Sequence, residues 1–125
     1  MSEQITLAVP TNGEGGLEAE RSGHFGHCDT FTLVDITDGA VDNVRIVQNP
    51  PHVEGGCLAP VNLLASHDVT AILVAGMGAR PLAGFIAAGI AVYFENATPV
   101  VSDAITLLLA GEVEVMDHRF VCGGH

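Results

Sequence analysis

The chain has no lysine and no tryptophan, and Tyr93 is its single tyrosine. Its cations are Arg21, Arg45, Arg80 and Arg119 alone, set against fifteen acidic residues, for a formal net charge of -11 at pH 7. Nucleic-acid binding draws most of its affinity from cations placed against phosphates, so this balance argues strongly against such a partner. The acidity reads first as a solubility device. Long apolar runs are missing too. Although 48% of the residues are hydrophobic and the mean hydropathy is +0.40, no stretch approaches the roughly 20 residues of a membrane span. The start, MSEQITLAV, carries no basic leader and alternates like a strand, so neither a signal nor a transit segment is expected and the expected location is cytoplasmic. Cysteine is scarce and unevenly spaced, at Cys28, Cys57 and Cys122. In a reducing compartment that pattern suits thiols or metal ligands better than a disulfide framework.

At 125 residues the chain has the size of one domain, 1–125, with a core large enough to need no staple and a flexible tail expected at about 117–125. Gln4 to Pro10 reads as a strand, followed by a long Gly/Glu-rich loop to Cys28. Phe31 to Ile36 and Val41 to Val47 are β-branched runs separated by TDGA, whose Asp38-Gly39 is hairpin turn chemistry. Beyond them the periodicity changes. Val61 to Ser66, Pro81 to Ala88 and Pro99 to Ala110 read as helices, each opened by a proline, and Gly89 and Gly111 suit left-handed C-caps. Thr98 is the expected N-cap of the last, whose Val101, Ala104, Ile105 and Leu108 form one apolar stripe. Thr70 to Ala75 and Ile90 to Phe94 read as strands buried on both faces. The expectation is an α/β fold: a mixed five-stranded sheet with an N-terminal antiparallel hairpin and helices packed on it.

In such a sheet ligands gather beyond the carboxyl ends of parallel strands, which singles out the loops leaving strands one, three, four and five. Three of them carry unusual residues. The first ends in SGHFGHC, with His24, His27 and Cys28; the next, NPPHVEGGCLAP, holds His52 and Cys57; the third, AGMGARP, holds Met77 and Arg80. The loop after the fifth strand, ENATP, reads as ordinary. Thiolates suit copper(I), zinc and iron–sulfur or thiometallate clusters, imidazole suits zinc, copper and iron, and a thioether adds a weak ligand. Gly23, Gly26, Gly55, Gly56, Gly76 and Gly78 would let backbone N–H groups approach a bulky inorganic ligand.

Each of these residues also has a plainer reading. If residues 24 to 28 are extended, His24 and Cys28 share a side; if they turn, His24 and His27 converge and Cys28 leads into the strand. Cys28 could equally be a small core residue at the strand's start. Cys57, just before the helix opened by Pro60, would have its thiolate stabilised by exposed N–H groups, or be buried under the loop. His52 follows Pro50-Pro51 and is the more ordinary surface histidine, and His67 suits a helix's last turn. GMGAR is a tight turn at minimum and an anion-facing turn at most, since Pro81 replaces the third glycine of a dinucleotide fingerprint. Cys122 and His125, in CGGH, have chelating spacing, although tails usually fray without a role.

The combination GHFGHCDTF, NPPH, the glycine-rich segment before the first helix, and ILVAGMGARP followed by AGIAVYF resembles the dinitrogenase iron–molybdenum cofactor-binding domain family, which includes nitrogenase cofactor carriers and molybdenum–copper orange proteins. The resemblance covers most of the chain. It implies a three-layer ribonuclease H-like fold with helices on both faces, no catalytic activity, and reversible holding of an anionic metal–sulfur cluster of iron–molybdenum or molybdenum–copper type. It further implies work beside metallocluster-assembly proteins or a P-loop ATPase. The family's loop histidine corresponds to His24, with Phe25 and Gly26 following; many members have arginine where this chain has His27, which favours a cysteine/histidine metal site holding a cluster or a single soft ion such as zinc or copper.

The expected site therefore combines His24, His27, Cys28, His52, Cys57, Cys122 and His125 as metal ligands with His24, Phe25, Gly26, Gly56, Gly76, Met77, Gly78 and Arg80 around the cargo. A rival from another class is a thiol-based sulfur carrier or redox protein using Cys28 and Cys57. A nuclease, the other chemistry a ribonuclease H-like fold invites, would need clustered carboxylates, and only Asp35 lies in an expected inner strand.

Overall fold

The computed structural model describes residues 4–23, 28–49, 59–77 and 79–116. Six strands and three helices alternate along it: β1 (Gln4–Thr11), β2 (Thr30–Thr37), β3 (Ala40–Gln48), α1 (Ala59–Ser66), β4 (Ala71–Val74), α2 (Ala79–Ala87), β5 (Ala91–Phe94), α3 (Val101–Leu109) and β6 (Glu114–Met116). They form one sheet in the order β3-β2-β1-β4-β5-β6. β1 pairs antiparallel with β2 and parallel with β4, β4 pairs parallel with β5, and β2 and β3 form the antiparallel hairpin. Asp38 and Gly39 both have positive φ, 51° and 82°, the turn conformation whose twist matches that of the strands it joins.

The sheet has six strands where five are expected from the sequence. β6 pairs antiparallel with the edge of β5 through Val92↔Met116, Tyr93↔Val115 and Phe94↔Glu114. At three residues it is too short to give a periodic signal of its own.

Alternation along the strands divides the core into two layers. Ala8, Phe31, Leu33, Ile72, Val74 and Val92 face one side and pack with Val61 and Leu64 of α1 and Leu82 and Phe85 of α2. Leu7, Val9, Val34, Ile36, Ala71 and Leu73 face the other and pack with Val101, Ala104 and Ile105 of α3. Helices thus cover both faces, a three-layer α/β arrangement. The apolar stripe read on α3 is the one buried, with Leu108 partly buried against the same layer. Gly89 and Gly111 end α2 and α3 with φ of 79° and 75°. Pro60 and Pro81 lie in the first turns of α1 and α2, where a missing N–H leaves no helical bond unmade.

The third helix begins differently from expectation. Its N-cap is Val100, not Thr98, and no side chain caps it. The exposed donors of its first turn are met by main-chain carbonyls instead: Val101 N–H donates to Ala19 at 3.1 Å and Ser102 N–H to Leu17 at 2.9 Å. The segment between β1 and β2 therefore does the capping that a side chain usually does.

The described parts of that segment, residues 12–23 and 28–29, are held by hydrogen bonds. Asn12 N–H donates to Glu20 O, Ser22 N–H to Pro10 O and Asp29 N–H to Thr11 O, which ties both of its ends to β1. Against it the buried Thr11 hydroxyl lies 2.7 Å from that of Thr30 and 3.1 Å from that of Thr32, and Thr32 accepts from Gly16 N–H at 2.9 Å. Gly15, at φ +78°, sits against this cluster so closely that a Cβ would come within 2.9 Å of Thr32 Oγ1 and 3.0 Å of both Thr30 Oγ1 and Ile46 Cδ1. Gly13 has a similar φ of +67° but open space. Gly13→Ala is expected to carry only the left-handed backbone cost of about 1–2 kcal/mol, and Gly15→Ala clearly more; urea unfolding of the two variants side by side measures the difference.

Candidate functional site

β3 runs parallel to β1, since each is antiparallel to β2. β1, β3, β4 and β5 consequently point their carboxyl ends to one edge of the sheet. The connections leaving them are all rooted there: residues 12–29, the chain after Gln48, residues 75–78 and residues 95–100. A cavity of about 300 Å³ opens at this edge, lined by Glu20, Arg21, Gly23, Ala75, Asn96, Ala97, Thr98 and Pro99.

The loop after β5, read from the sequence as ordinary, is the structural keystone of this edge. Glu95 and Arg21 form an ion pair at 2.7 Å with side chains only 11% and 4% exposed. The guanidinium also donates from NH1 to Thr98 O at 2.9 Å and from NH2 to Glu95 O at 2.7 Å. The Glu95 carboxylate accepts in addition from Ala97 N–H at 3.1 Å, Thr98 N–H at 3.1 Å and Thr98 Oγ1 at 2.9 Å. This explains why Thr98 does not cap α3: its hydroxyl is committed to Glu95. The main chain repeats the attachment, with Arg21 N–H donating to Pro99 O at 2.7 Å and a β-bridge pairing Glu20 with Val100. Burial pushes the Arg21 guanidinium below its ordinary value, opposed by the hydrogen bond and charge of Glu95. Burial likewise pushes the Glu95 carboxyl up, but the hydrogen bonds from Thr98 Oγ1, the Ala97 and Thr98 N–H groups and Arg21 outweigh it and hold the carboxyl below the usual range.

Of the residues expected at the site, Cys28, Gly76 and Met77 are among those described. Cys28 is 4% exposed and belongs to the core layer under α1 and α2. Asn49 donates from Nδ2 to Cys28 O at 2.8 Å and stands 3.7 Å from its Sγ. That is the placement of a packed residue leading into β2, the second of the two readings open for it. Met77 is partly buried against the same layer, at the carboxyl edge. Gly76 has open space where a Cβ would stand. Arg80 lies in the first turn of α2. His24, Phe25, Gly26, His27, His52, Gly56, Cys57, Gly78, Cys122 and His125 lie outside the described residues. His67 follows α1, and its N–H donates to Leu64 O at 3.0 Å, as a residue at a helix end should.

Among the described residues no group of three or more His, Cys, Asp or Glu is placed to hold a metal ion. Asp35 is engaged elsewhere, accepting from Arg45 NH2 at 3.1 Å and Thr6 Oγ1 at 3.0 Å, toward the opposite end of β1. No described helix is long and apolar enough to cross a membrane.

The Arg21–Glu95 pair escapes sequence reasoning because its members are 74 residues apart. With fifteen acids to choose from, no arginine's partner can be read from composition. The one available signal is local: Glu95 precedes Thr98 by the spacing at which a carboxylate can accept from the N–H groups of its own turn.

The pair makes stability depend on acid. Because the Glu95 carboxyl loses its proton more readily in the folded chain than in the unfolded one, its contribution is complete above about pH 4.3 and is lost as the pH falls through the lower folded-state value. Urea midpoints measured down the acid limb should show this dependence in the native sequence and less of it in Glu95→Ala. At pH 7 that variant should lose about 3–5 kcal/mol, the cost of leaving a buried charge unpaired.

The chain is 34% identical over 95 residues to the MJ0580 protein of Methanocaldococcus jannaschii, a match spanning 74% of this chain and 80% of that one. Among solved structures it is similar to PH0822, with a TM-score of 0.77 at 28% identity over 93% of this chain and 99% of that one. It shares its fold with the apo form of the orange protein from Desulfovibrio gigas, with a TM-score of 0.80 at 24% identity over 93% of this chain and 96% of that one. The family model for the dinitrogenase iron–molybdenum cofactor matches residues 4–111, nearly the whole sheet with all three helices. The chain belongs to the dinitrogenase iron–molybdenum cofactor family.

Proposed function

We propose that the protein binds and carries a metal–sulfur cluster, of iron–molybdenum or molybdenum–copper type, or a single soft metal ion, as a non-catalytic carrier in metallocluster assembly. The observation that carries this reading is the convergence at one sheet edge. Four connections start there, those leaving β1, β4 and β5 lining a cavity of about 300 Å³, and the sequence loads three of the four with His24, His27 and Cys28, His52 and Cys57, and Met77 and Arg80. Family membership points the same way.

In this reading His24, His27 and Cys57 supply imidazole and thiolate to the cargo, with His52 and the Cys122/His125 tail as further ligands. Phe25, Gly26, Gly56, Gly76, Gly78 and Arg80 surround it. Cys28 ligates if its thiol turns from the core layer to the edge. The thiol-based sulfur carrier draws less support, because Cys28 at 4% exposure is poorly placed to act as a nucleophile or to resolve one. Partners are proposed to be assembly proteins, a P-loop ATPase among them, that hand over or receive the cargo, and the place of work is the cytoplasm.

Elemental analysis and absorption spectroscopy on protein purified without oxygen test the proposal. Stoichiometric metal with sulfide-to-metal charge-transfer bands is expected, either as isolated or after reconstitution with tetrathiomolybdate and copper(I) or with iron and sulfide. Cys57→Ser and His24→Ala should each lower the bound metal by about 10-fold or more. A native chain that takes up neither cluster nor soft metal, yet keeps a reactive thiol, would replace the carrier with the thiol protein.

A further inference from the structure

The acidic composition and the proposed anionic cargo pull against each other, and the structure sharpens the tension. Both arginines whose side chains are described are consumed by internal ion pairs, Arg21 with Glu95 and Arg45 with Asp35. Arg21 lines the cavity, yet its charge is already met by Glu95. A guanidinium meant to attract an anionic ligand would be left with its charge unmet; this one spends NH1 and NH2 on Glu95 and Thr98, and only its buried Nε–H has no hydrogen-bond partner among the described residues.

The pair joins two connections that secondary structure alone would leave independent. Residues 12–23 leave β1, residues 95–100 leave β5, and β4 lies between those strands. Around the ion pair the two segments run side by side through Arg21 N–H to Pro99 O, Val101 N–H to Ala19 O and Ser102 N–H to Leu17 O. Two residues beyond Arg21, Gly23 lines the cavity together with Ala75 of the β4 connection. Fixing Arg21 therefore fixes where the chain passes Gly23 on the cavity wall.

We infer that Arg21 and Glu95 are a positioning pair for the cargo site: a buried clamp across the β1 and β5 exits that sets the width of the cavity and so the affinity for a soft-metal cargo, while contributing no charge to its capture. The inference rests on the carrier reading for the word cargo and on the described geometry for the clamp. Affinity comes from coordination and from the shape of the clamped edge. Simple tetrahedral oxyanions, which offer only charge and hydrogen-bond acceptors, find no uncommitted cation at Arg21.

Two readouts on Glu95→Gln separate the clamp from the carrier reading. The first is amide hydrogen exchange in the metal-free protein. The N–H groups of Arg21, Ser22, Val101 and Ser102 should exchange roughly tenfold faster than in the native chain while the β2 and β3 amides keep their rates. The second is uptake of tetrathiomolybdate with copper(I), followed by absorption, which should weaken about 10- to 100-fold and should not be competed by excess phosphate in the native chain. Ile36→Val, at the far end of β2 and 1% exposed in the core layer shared with α3, lowers global stability without removing a clamp hydrogen bond; it should leave uptake unchanged and should not speed those four amides relative to the β2 and β3 amides. If Glu95→Gln does not fold, Thr98→Val removes one donor to the carboxylate without stranding a buried charge, and should shift both readouts in the same direction by less. Unchanged exchange at those four amides, or an equal loss of uptake in Ile36→Val, overturns the inference. A native chain that takes up no cargo sinks the carrier reading, and the exchange data still decide whether the clamp holds the edge.

Discussion

β1 has neither a free edge nor a free face, and the rest of the molecule is arranged to satisfy it. Leu7, Ala8 and Val9 are fully buried, and the strand's backbone groups pair with β2 on one side and β4 on the other. A strand so enclosed needs helices above and below it. The chain supplies them as α1 and α2 on one face and α3 on the other; the hairpin extends the sheet on one side of β1, and α1 then carries the chain across to β4 on the other side. That crossing brings the carboxyl ends of β1 and β4 side by side where the strand order reverses, the position at which open α/β sheets leave a crevice for ligands.

What happens at that crevice depends on a guanidinium taken out of water. A buried arginine is tolerable only when its charge is paired and most of its donors are met. Arg21 meets this demand with the carboxylate and the carbonyl of Glu95 and the carbonyl of Thr98. In doing so it welds the β1 connection to the loop in front of α3. The same weld explains two smaller facts: α3 begins without a side-chain cap, and the described residues 12–23 of the connection leaving β1 follow a path fixed by hydrogen bonds. The carbonyls of Leu17 and Ala19 are available to cap the helix because the clamp brings them to it.

The clamp also bears on how an acidic protein could hold an anionic cargo. Long-range attraction is weak when the net charge is -11, and the described cations near the sheet are neutralised locally. A site of this kind gains selectivity from ligand softness and from backbone donors at a fixed spacing rather than from charge. Glycine is concentrated along the same edge, and Gly23 and Gly76 both have open space where a side chain would begin, which leaves room for something bulky.

The sequence by itself determined the parts of the protein that depend on short-range patterns. Period-two and period-3.6 hydrophobicity marked five of the six strands and all three helices, Asp38-Gly39 marked the hairpin turn, and Gly89 and Gly111 marked two helix ends, because each is decided by residues within a few positions of one another. The order of those elements was enough to show that the ligand-rich loops start from one sheet edge. Only the tertiary structure decided what could not be local. β6 exists because β5 offers it an edge. Cys28 packs into a core layer because α1 and α2 cover that face. Thr98 serves Glu95 rather than α3, and Arg21 finds Glu95 at all, because the fold brings two connections 74 residues apart to within 2.7 Å. Hydrophobic periodicity is written into neighbouring residues; the partner of a buried charge is written only into the path of the chain between them.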